Sequence, residues 1–335
     1  MGTHPLTPVS AIRLCVLTSI LAVTATACAG RQAADQGGSW QPRQDVRLII
    51  HASAGGASDL MARTAAKVLT DQKIVTRPVL AENREGGSGA VAYTYLLGQA
   101  GNPHYIAAFS GTYMSTPASN QADYRYTNYT NYSVVAEDAS VLVVSAASPY
   151  RKLADLVRAA KDRPDTVRYG GTQTGGADSI VHYLLQQKTG TKLAYVPFDG
   201  GSEASAALLG GNVDVISSNP SEIKSLIDAG RIRPLAVSST ARIAGLDIPT
   251  FREQDVDLVS TQARGFIGPP RVSAAQRSYW ENALTRMTES GQWRDYVRAN
   301  FLQPSVHIGQ NAQRYLDQEW QKYVSLYKEL GLRPK

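Results

Sequence analysis

Glycines and hydroxyls gather at four points of this chain where a short apolar run ends and an amphipathic stretch begins. The first is His51-Ala-Ser-Ala-Gly-Gly-Ala-Ser-Asp59, directly after Val46-Arg-Leu-Ile-Ile50. A turn of this kind leaves several backbone N–H groups at the positive end of the helix it opens, which suits a carboxylate or a phosphate. Ser53 and Ser58 add hydroxyl donors; equally, Gly55 and Gly56 would make a tight turn while Ser58 or Asp59 caps the helix. Tyr169-Gly-Gly-Thr-Gln-Thr-Gly-Gly-Ala-Asp-Ser179 repeats the pattern in a second series of elements. Pro197-Phe-Asp-Gly-Gly-Ser-Glu203 has the same form, and Ser110-Gly-Thr112 ends another strand. Turns like these, one set per lobe and all at strand ends, could close on one anion from opposite sides.

Other chemistries are poorly supplied. Gly87-Ser-Gly-Ala-Val-Ala92 has dinucleotide-fingerprint spacing, but the next strand ends in Phe109-Ser110-Gly111 and lacks the acid that would hold the ribose. No phosphate-loop lysine motif, HExxH or GxSxG is present. His51, His104, His182 and His307 are scattered without metal-ligand spacing, and only His51 stands at the mouth of a candidate loop. The two cysteines, Cys15 and Cys28, lie in the first thirty residues, so the body has no disulfide framework, CxxC motif or cysteine nucleophile. Neither catalytic residues nor a metal nor a cofactor is therefore expected. Thirty-four Lys and Arg against 28 Asp and Glu give a net charge of +6, but they are interspersed without a basic run, which argues against a nucleic-acid partner.

The elements that must position these loops follow from length and pattern. A chain of 335 residues has room for two ordinary domains or one large one, and a hydrophobic share of 43% supplies sizeable cores. Leu14 to Ala27 is an apolar stretch preceded by Arg13 and too short to span a bilayer stably, so residues 1–27 are expected to be a signal peptide. Ala25-Thr-Ala-Cys28 looks like a bacterial lipobox, whose cysteine receives diacylglycerol; ordinary cleavage in the same stretch would leave a free soluble protein. Residues 28–45 are polar and Gly-rich, a flexible tether. From Val46 onward strands and helices alternate, the pattern of an α/β protein with largely parallel sheets. One series runs from Val46 to Phe109 and a second from Ser140 to Ser238. A strand at Gln262–Ile267 and helices at Ala274–Ser290, Trp293–Asn300 and Asn311–Leu330 complete the chain. Leu316, Trp320, Tyr323, Tyr327 and Leu330 form one apolar stripe for core packing. The tyrosines of Tyr124-Arg-Tyr-Thr-Asn-Tyr-Thr-Asn-Tyr132 are expected to pack beneath a surface loop.

Taken in order, these motifs resemble the extracytoplasmic solute receptors of the tripartite tricarboxylate transporter system, the Bug family. The likeness runs through Val46 to Asp59, Glu82-Asn-Arg-Glu-Gly-Gly-Ser-Gly89, Gly170 to Ser179, Val196-Pro-Phe-Asp-Gly-Gly201, Leu208-Leu-Gly-Gly-Asn-Val-Asp214, Ala229 to Ser238 and Ile248-Pro-Thr250. It implies a two-lobed periplasmic-binding-protein-like fold of the two-crossover type, with the ligand in an interlobe cleft. Lobe 1 would comprise 46–139 plus 239–335 and lobe 2 would comprise 140–238, with crossovers near Ser140 and at Pro234–Ser238. By position, the resemblance places ligand contacts at Ser53, Gly55, Gly56, Ser58, Asp59, Ser110, Thr112, Thr172, Thr174, Gly175, Gly176, Asp199, Ser202 and Asn219. The implied role is capture of a small organic carboxylate (an amino acid, a di- or tricarboxylate, or an aromatic acid) for integral-membrane transporter subunits. The protein would work as a monomer outside the cytoplasm, anchored through lipid on Cys28. Asp199 stands where the family carries a basic or neutral residue. If it faces the cleft, the ligand would bear a cationic group or a single carboxylate; otherwise Asp199 caps the next helix or faces solvent. The rivals are an exported α/β hydrolase or transferase, which would need a nucleophile with a base in reach, and a receptor that reports to a signalling partner.

Overall fold

Val46-Arg-Leu-Ile-Ile50 is an interior strand, and its near-continuous burial follows from helices lying on both faces of its sheet. The computed structural model describes residues 40–171, 176–198, 201–329 and 331. In chain order the first series is β1 (Val46–Ile50), α1 (Ala57–Asp71), β2 (Val79–Asn83), α2 (Ala90–Leu97), β3 (Tyr105–Phe109), α3 (Thr112–Ala118) and β4 (Thr130–Ala139). A single residue, Ser140, then leads into β5 (Val141–Ser145), α4 (Leu153–Asp162), β6 (Arg168–Gly171), α5 (Ala177–Thr189), β7 (Ala194–Pro197), α6 (Gly201–Leu209), β8 (Val215–Ser218), α7 (Pro220–Asp228) and β9 (Ile232–Val237). The chain ends with β10 (Thr261–Gly268), α8 (Ala274–Thr288), α9 (Gly291–Ala299), β11 (His307–Ile308) and α10 (Gln310–Glu329). No described helix is long and apolar enough to cross a membrane.

Two sheets result, in the orders β11-β4-β10-β3-β1-β2 and β7-β6-β8-β5-β9. Each is mixed rather than largely parallel. The βα units pair in parallel (β1 with β2 and β3, β6 with β7 and β8), whereas β10 runs antiparallel to β3 and β4, and β5 runs antiparallel to β8 and β9. The strands that pass between lobes enter each sheet from the opposite direction to the βα units, and this reverses them.

Alternate side chains of each strand feed separate cores, as a period of two requires. In the first sheet Leu48, Ile50, Ile106 and Ala108 face α1, α8 and α9, with Trp280 and Trp293 buried among them. Ile49, Ala107 and Phe109 face α2, α3 and α10 on the other side. The stripe on α10 belongs to this second core through Leu316, Tyr323 and Tyr327, with Trp320 partly buried; Leu330 lies outside the described residues. In the second sheet Leu142 and Val144 pack on α4 and α5, while Val141 and Val143 pack on α6 and α7. The connection from β9 to β10 places Ile243, Leu246, Ile248, Phe251, Val256 and Leu258 in the cores of the second sheet, although residues from 239 onward were expected with the first lobe.

At the crossovers Ser238, fully buried, acts as a knot. Its Oγ accepts from the Ser140 N–H (2.9 Å) and donates to the Ser260 carbonyl (2.5 Å). Its own N–H donates to the Ser140 carbonyl (2.9 Å), and its carbonyl accepts from the Ser260 N–H (2.8 Å). The two passages between the sheets are thus tied side by side.

Candidate ligand-binding cleft

Two adjoining cavities open between the lobes, one of about 200 Å³ and one of about 640 Å³, and they share Gly201 and Glu222. The amino ends of α1, α5, α6 and α7 all reach them: Gly56 and Ala57, Gly176 and Ala177, Gly201, and Asn219 followed by Ser221. Each of these helices follows a strand, so the strand's carboxyl end fixes where the helix begins. The positive ends of four helices therefore converge on one space.

The first loop is set by groups beneath it. Asp59, buried, accepts from the Gly55 N–H (2.9 Å), from Arg63 Nε (2.9 Å) and from Asn83 Nδ2 (2.8 Å), and Asn83 also donates to the Ala52 carbonyl (2.8 Å). Burial alone would raise the Asp59 carboxyl, but Arg63, the Gly55 amide and Asn83 outweigh it and hold the group below the usual carboxylate range. Gly55 has φ +82°, which a side chain would strain. Gly55 and Gly56 line the larger cavity, while the exposed Ser53 gives its hydroxyl hydrogen to Glu85 (2.7 Å).

Behind the loop lies His51, its ring stacked on Tyr93 with centroids 5.5 Å apart. Nδ1 faces the Ala108 carbonyl (3.3 Å), so it carries the hydrogen, and Nε2 accepts from Ser110 Oγ (2.9 Å). Ser110 in turn lies 3.4 Å from Thr112 Oγ1, which reaches the smaller cavity. The serine–histidine pair looks like hydrolytic machinery, but the group on Nδ1 is a backbone carbonyl where a triad has a carboxylate, and both side chains are buried. Burial first, and then Arg264, lowers the His51 pKa from 6.5 to about 4, while the bond to Ala108 opposes this. The ring is neutral at pH 7. A depressed pKa means full stability above pH 6.5, with progressive loss as pH falls toward 4. The shift corresponds to about 3 kcal/mol. Urea unfolding at pH 7 and pH 4 should therefore show the wild type losing about that much more than His51→Gln, and equal losses would refute the assignment.

The floor joins the lobes through buried charge. Arg264 on β10 and Asp138 on β4 are 5% and 3% exposed and form an ion pair in which Nε and Nη2 both donate to Asp138 Oδ2. Arg264 Nη1 donates to Ser58 Oγ (3.1 Å). Asn219 is the N-cap residue of α7, yet its amide donates across to Asp138 Oδ2 instead of capping its own helix. Asp138 Oδ1 is buried without a hydrogen-bond partner.

Of the residues expected at the ligand, Thr112, Gly176 and Asn219 line the smaller cavity and Gly55, Gly56 and Ser202 the larger. Ser58, Asp59 and Ser110 are buried beneath them, and Ser53 turns to Glu85. Thr172, Thr174, Gly175 and Asp199 lie outside the described residues. Sequence reasoning missed Asp178 and Glu222, which line the smaller cavity, and the pair Asp138–Arg264. Acids in the first turn of a helix pass for dipole compensation. The stronger signal was a lone charge inside an apolar strand, as in Ala-Arg264-Gly-Phe-Ile. Among the described residues no group of His, Cys, Asp or Glu is placed to hold a metal ion.

Comparison with known proteins identifies the family. The family model of the tripartite tricarboxylate transporter family receptor matches residues 61–332. Protein BugT of Bordetella pertussis is 28% identical over 311 residues, covering 88% of this chain and 91% of BugT. Among solved structures, an R. palustris protein with adipate superposes with a TM-score of 0.78 at 24% identity, covering 87% of this chain and 98% of that one. MatC from Rhodopseudomonas palustris with bound malate gives 0.73 at 20% identity, covering 86% and 99%. The chain belongs to the tripartite tricarboxylate transporter receptor family and is a solute-binding receptor with the two-lobed fold, not an enzyme.

Proposed function

We propose that this receptor captures a small organic carboxylate between its lobes and delivers it to the membrane subunits of a tripartite transporter, acting as a monomer held at the membrane by lipid on Cys28. The observation that carries the reading is the convergence of four helix amino ends from both lobes on the two adjoining cavities. Backbone N–H groups and hydroxyls such as those of Thr112 and Ser217 supply donors for a carboxylate without a cation of their own. The adipate and malate bound by structural neighbours support the ligand class, and neighbours described as periplasmic support an extracytoplasmic location. Closure would turn on the Ser140 and Ser238 crossovers and bury the ligand, driven by its greater affinity for the closed form.

The test is a melting-temperature series of the purified protein against amino acids and mono-, di- and tricarboxylates. A ligand at about a hundred times its dissociation constant adds roughly 2.7 kcal/mol, enough to raise the midpoint by several degrees. A selective rise with the compound recovered unchanged is expected, and no rise with any carboxylate would overturn the ligand class. Cys28→Ala should move the protein from the membrane fraction to the soluble extracytoplasmic fraction, and an unchanged distribution would refute the anchor.

A further inference from the structure

We propose that the ligand carries a cationic group in addition to one carboxylate, and that Glu222 and Asp178 are the residues that select it. This rests on the receptor reading above and narrows its ligand class to aminocarboxylates, as against dicarboxylates.

The argument begins with the charges around the cleft. No lysine or arginine lines either cavity among the described residues. Glu222 stands where the two cavities meet, and Asp178 lines the smaller one. The guanidinium acting on Glu222 is that of Arg264, which is buried and already committed to Asp138 and Ser58. Asp138 is paired with Arg264 beneath the floor, so the acids that line the smaller cavity itself are Asp178 and Glu222.

Burial, Asp138 and Asp178 push the Glu222 carboxyl above its ordinary range, although Ser218 and Arg264 pull it down. Glu222 is nonetheless reached by solvent, because it sits in an open cleft among protein atoms, so a ligand can meet it. Asp138 Oδ1, behind Asn219, has no donor. Ser218 gives its hydrogen to Glu222 Oε2 (2.9 Å), which holds the carboxylate in place at the cavity. The smaller cavity therefore offers helix amino ends and hydroxyls for one carboxylate and, beside them, two acids for a cationic group. A second carboxylate there would meet like charge within a few ångströms in a partly desolvated site, a penalty of about a hundredfold in affinity.

Titration calorimetry at pH 7.5 with matched probes tests this. 4-Aminobutanoate, succinate and butanoate form one set of similar length, and 5-aminopentanoate, glutarate and pentanoate another. The purified wild-type receptor should bind an aminocarboxylate at least tenfold more tightly than its matched dicarboxylate and monocarboxylate. Glu222→Gln and Asp178→Asn, each verified as folded by its thermal melt, should erase that preference, and Glu222→Asp should restore part of it. Dicarboxylates binding the wild type as tightly as their amino partners would overturn the inference while leaving the receptor reading intact. So would a preference that survives both substitutions. Failure of all six probes and of every carboxylate in the wider panel would overturn the receptor's ligand class and this inference with it.

Discussion

Replacing Arg264 with methionine is expected to lower the stability of the protein by about 3–5 kcal/mol, because it leaves Asp138 buried without its countercharge. Asp138 Oδ2 takes both Nε and Nη2 of the guanidinium, and its Oδ1 has no other donor to fall back on. Asn219 would be its last partner, and an amide cannot neutralise a carboxylate. The double variant Arg264→Met with Asp138→Leu should regain most of the loss, since desolvation of the pair offsets much of its Coulomb attraction. Urea titration of the wild type, the single variant and the double variant measures both effects. A single variant within 1 kcal/mol of the wild type would mean that Asp138 finds water or a proton at little cost. The consequence reaches the cleft, because Ser58, Arg264, Asp138 and Asn219 form one chain of contacts from α1 to α7. The single variant should therefore also weaken carboxylate binding, while the double variant separates lost stability from lost lobe contact.

The fold was legible wherever apolar runs and glycine turns punctuate the chain cleanly. The strand expected at Gln262–Ile267 lies within β10, and the helices expected at Ala274–Ser290, Trp293–Asn300 and Asn311–Leu330 differ from α8, α9 and α10 by two residues at most at either end. The strand β4 was not legible. Its Asn131, Ser133 and Asp138 are polar side chains buried by tertiary partners, so the segment reads as the end of a tyrosine-rich loop. Tyr132, expected under such a loop, is on this strand and packs against Trp280, while Tyr124, Tyr126 and Tyr129 join Tyr113 in the opposite core. The short α3 was hidden by Pro117, which sits in its last turn. At the site, the loops that reach the two cavities were readable because glycines and hydroxyls between a strand and a helix mark the strand's carboxyl end. What the cleft does with charge was not, because Asp178, Glu222, Asp138 and Arg264 come from four different elements and acquire meaning only through burial and proximity.

Gly265→Ala is expected to cost about 4 kcal/mol or more. A Cβ at this position would lie 2.0 Å from the Ser133 carbonyl oxygen and 2.6 and 2.7 Å from carbons of the Phe109 ring. Ser133 belongs to the backbone of β4, so no rotamer change can relieve the first contact, and Phe109 is fully buried, which blocks the second. β10 already shifts register against β4 on either side, between Arg264 and Gly265 and again between Phe266 and Ile267. That irregularity is what brings the β4 backbone so close to this glycine, and it aims the neighbouring Arg264 at Asp138. By contrast, a Cβ on Gly291 meets nothing within 4 Å, so Gly291→Ala should leave stability within about 0.5 kcal/mol or raise it slightly. Denaturant titration of the two variants side by side therefore separates steric exclusion from any general cost of adding a methyl. If Gly265→Ala unfolds within 1 kcal/mol of the wild type, β10 can slide against β4. Arg264 is then free to leave Asp138, and the rigid floor required for charge selection in the cleft does not exist.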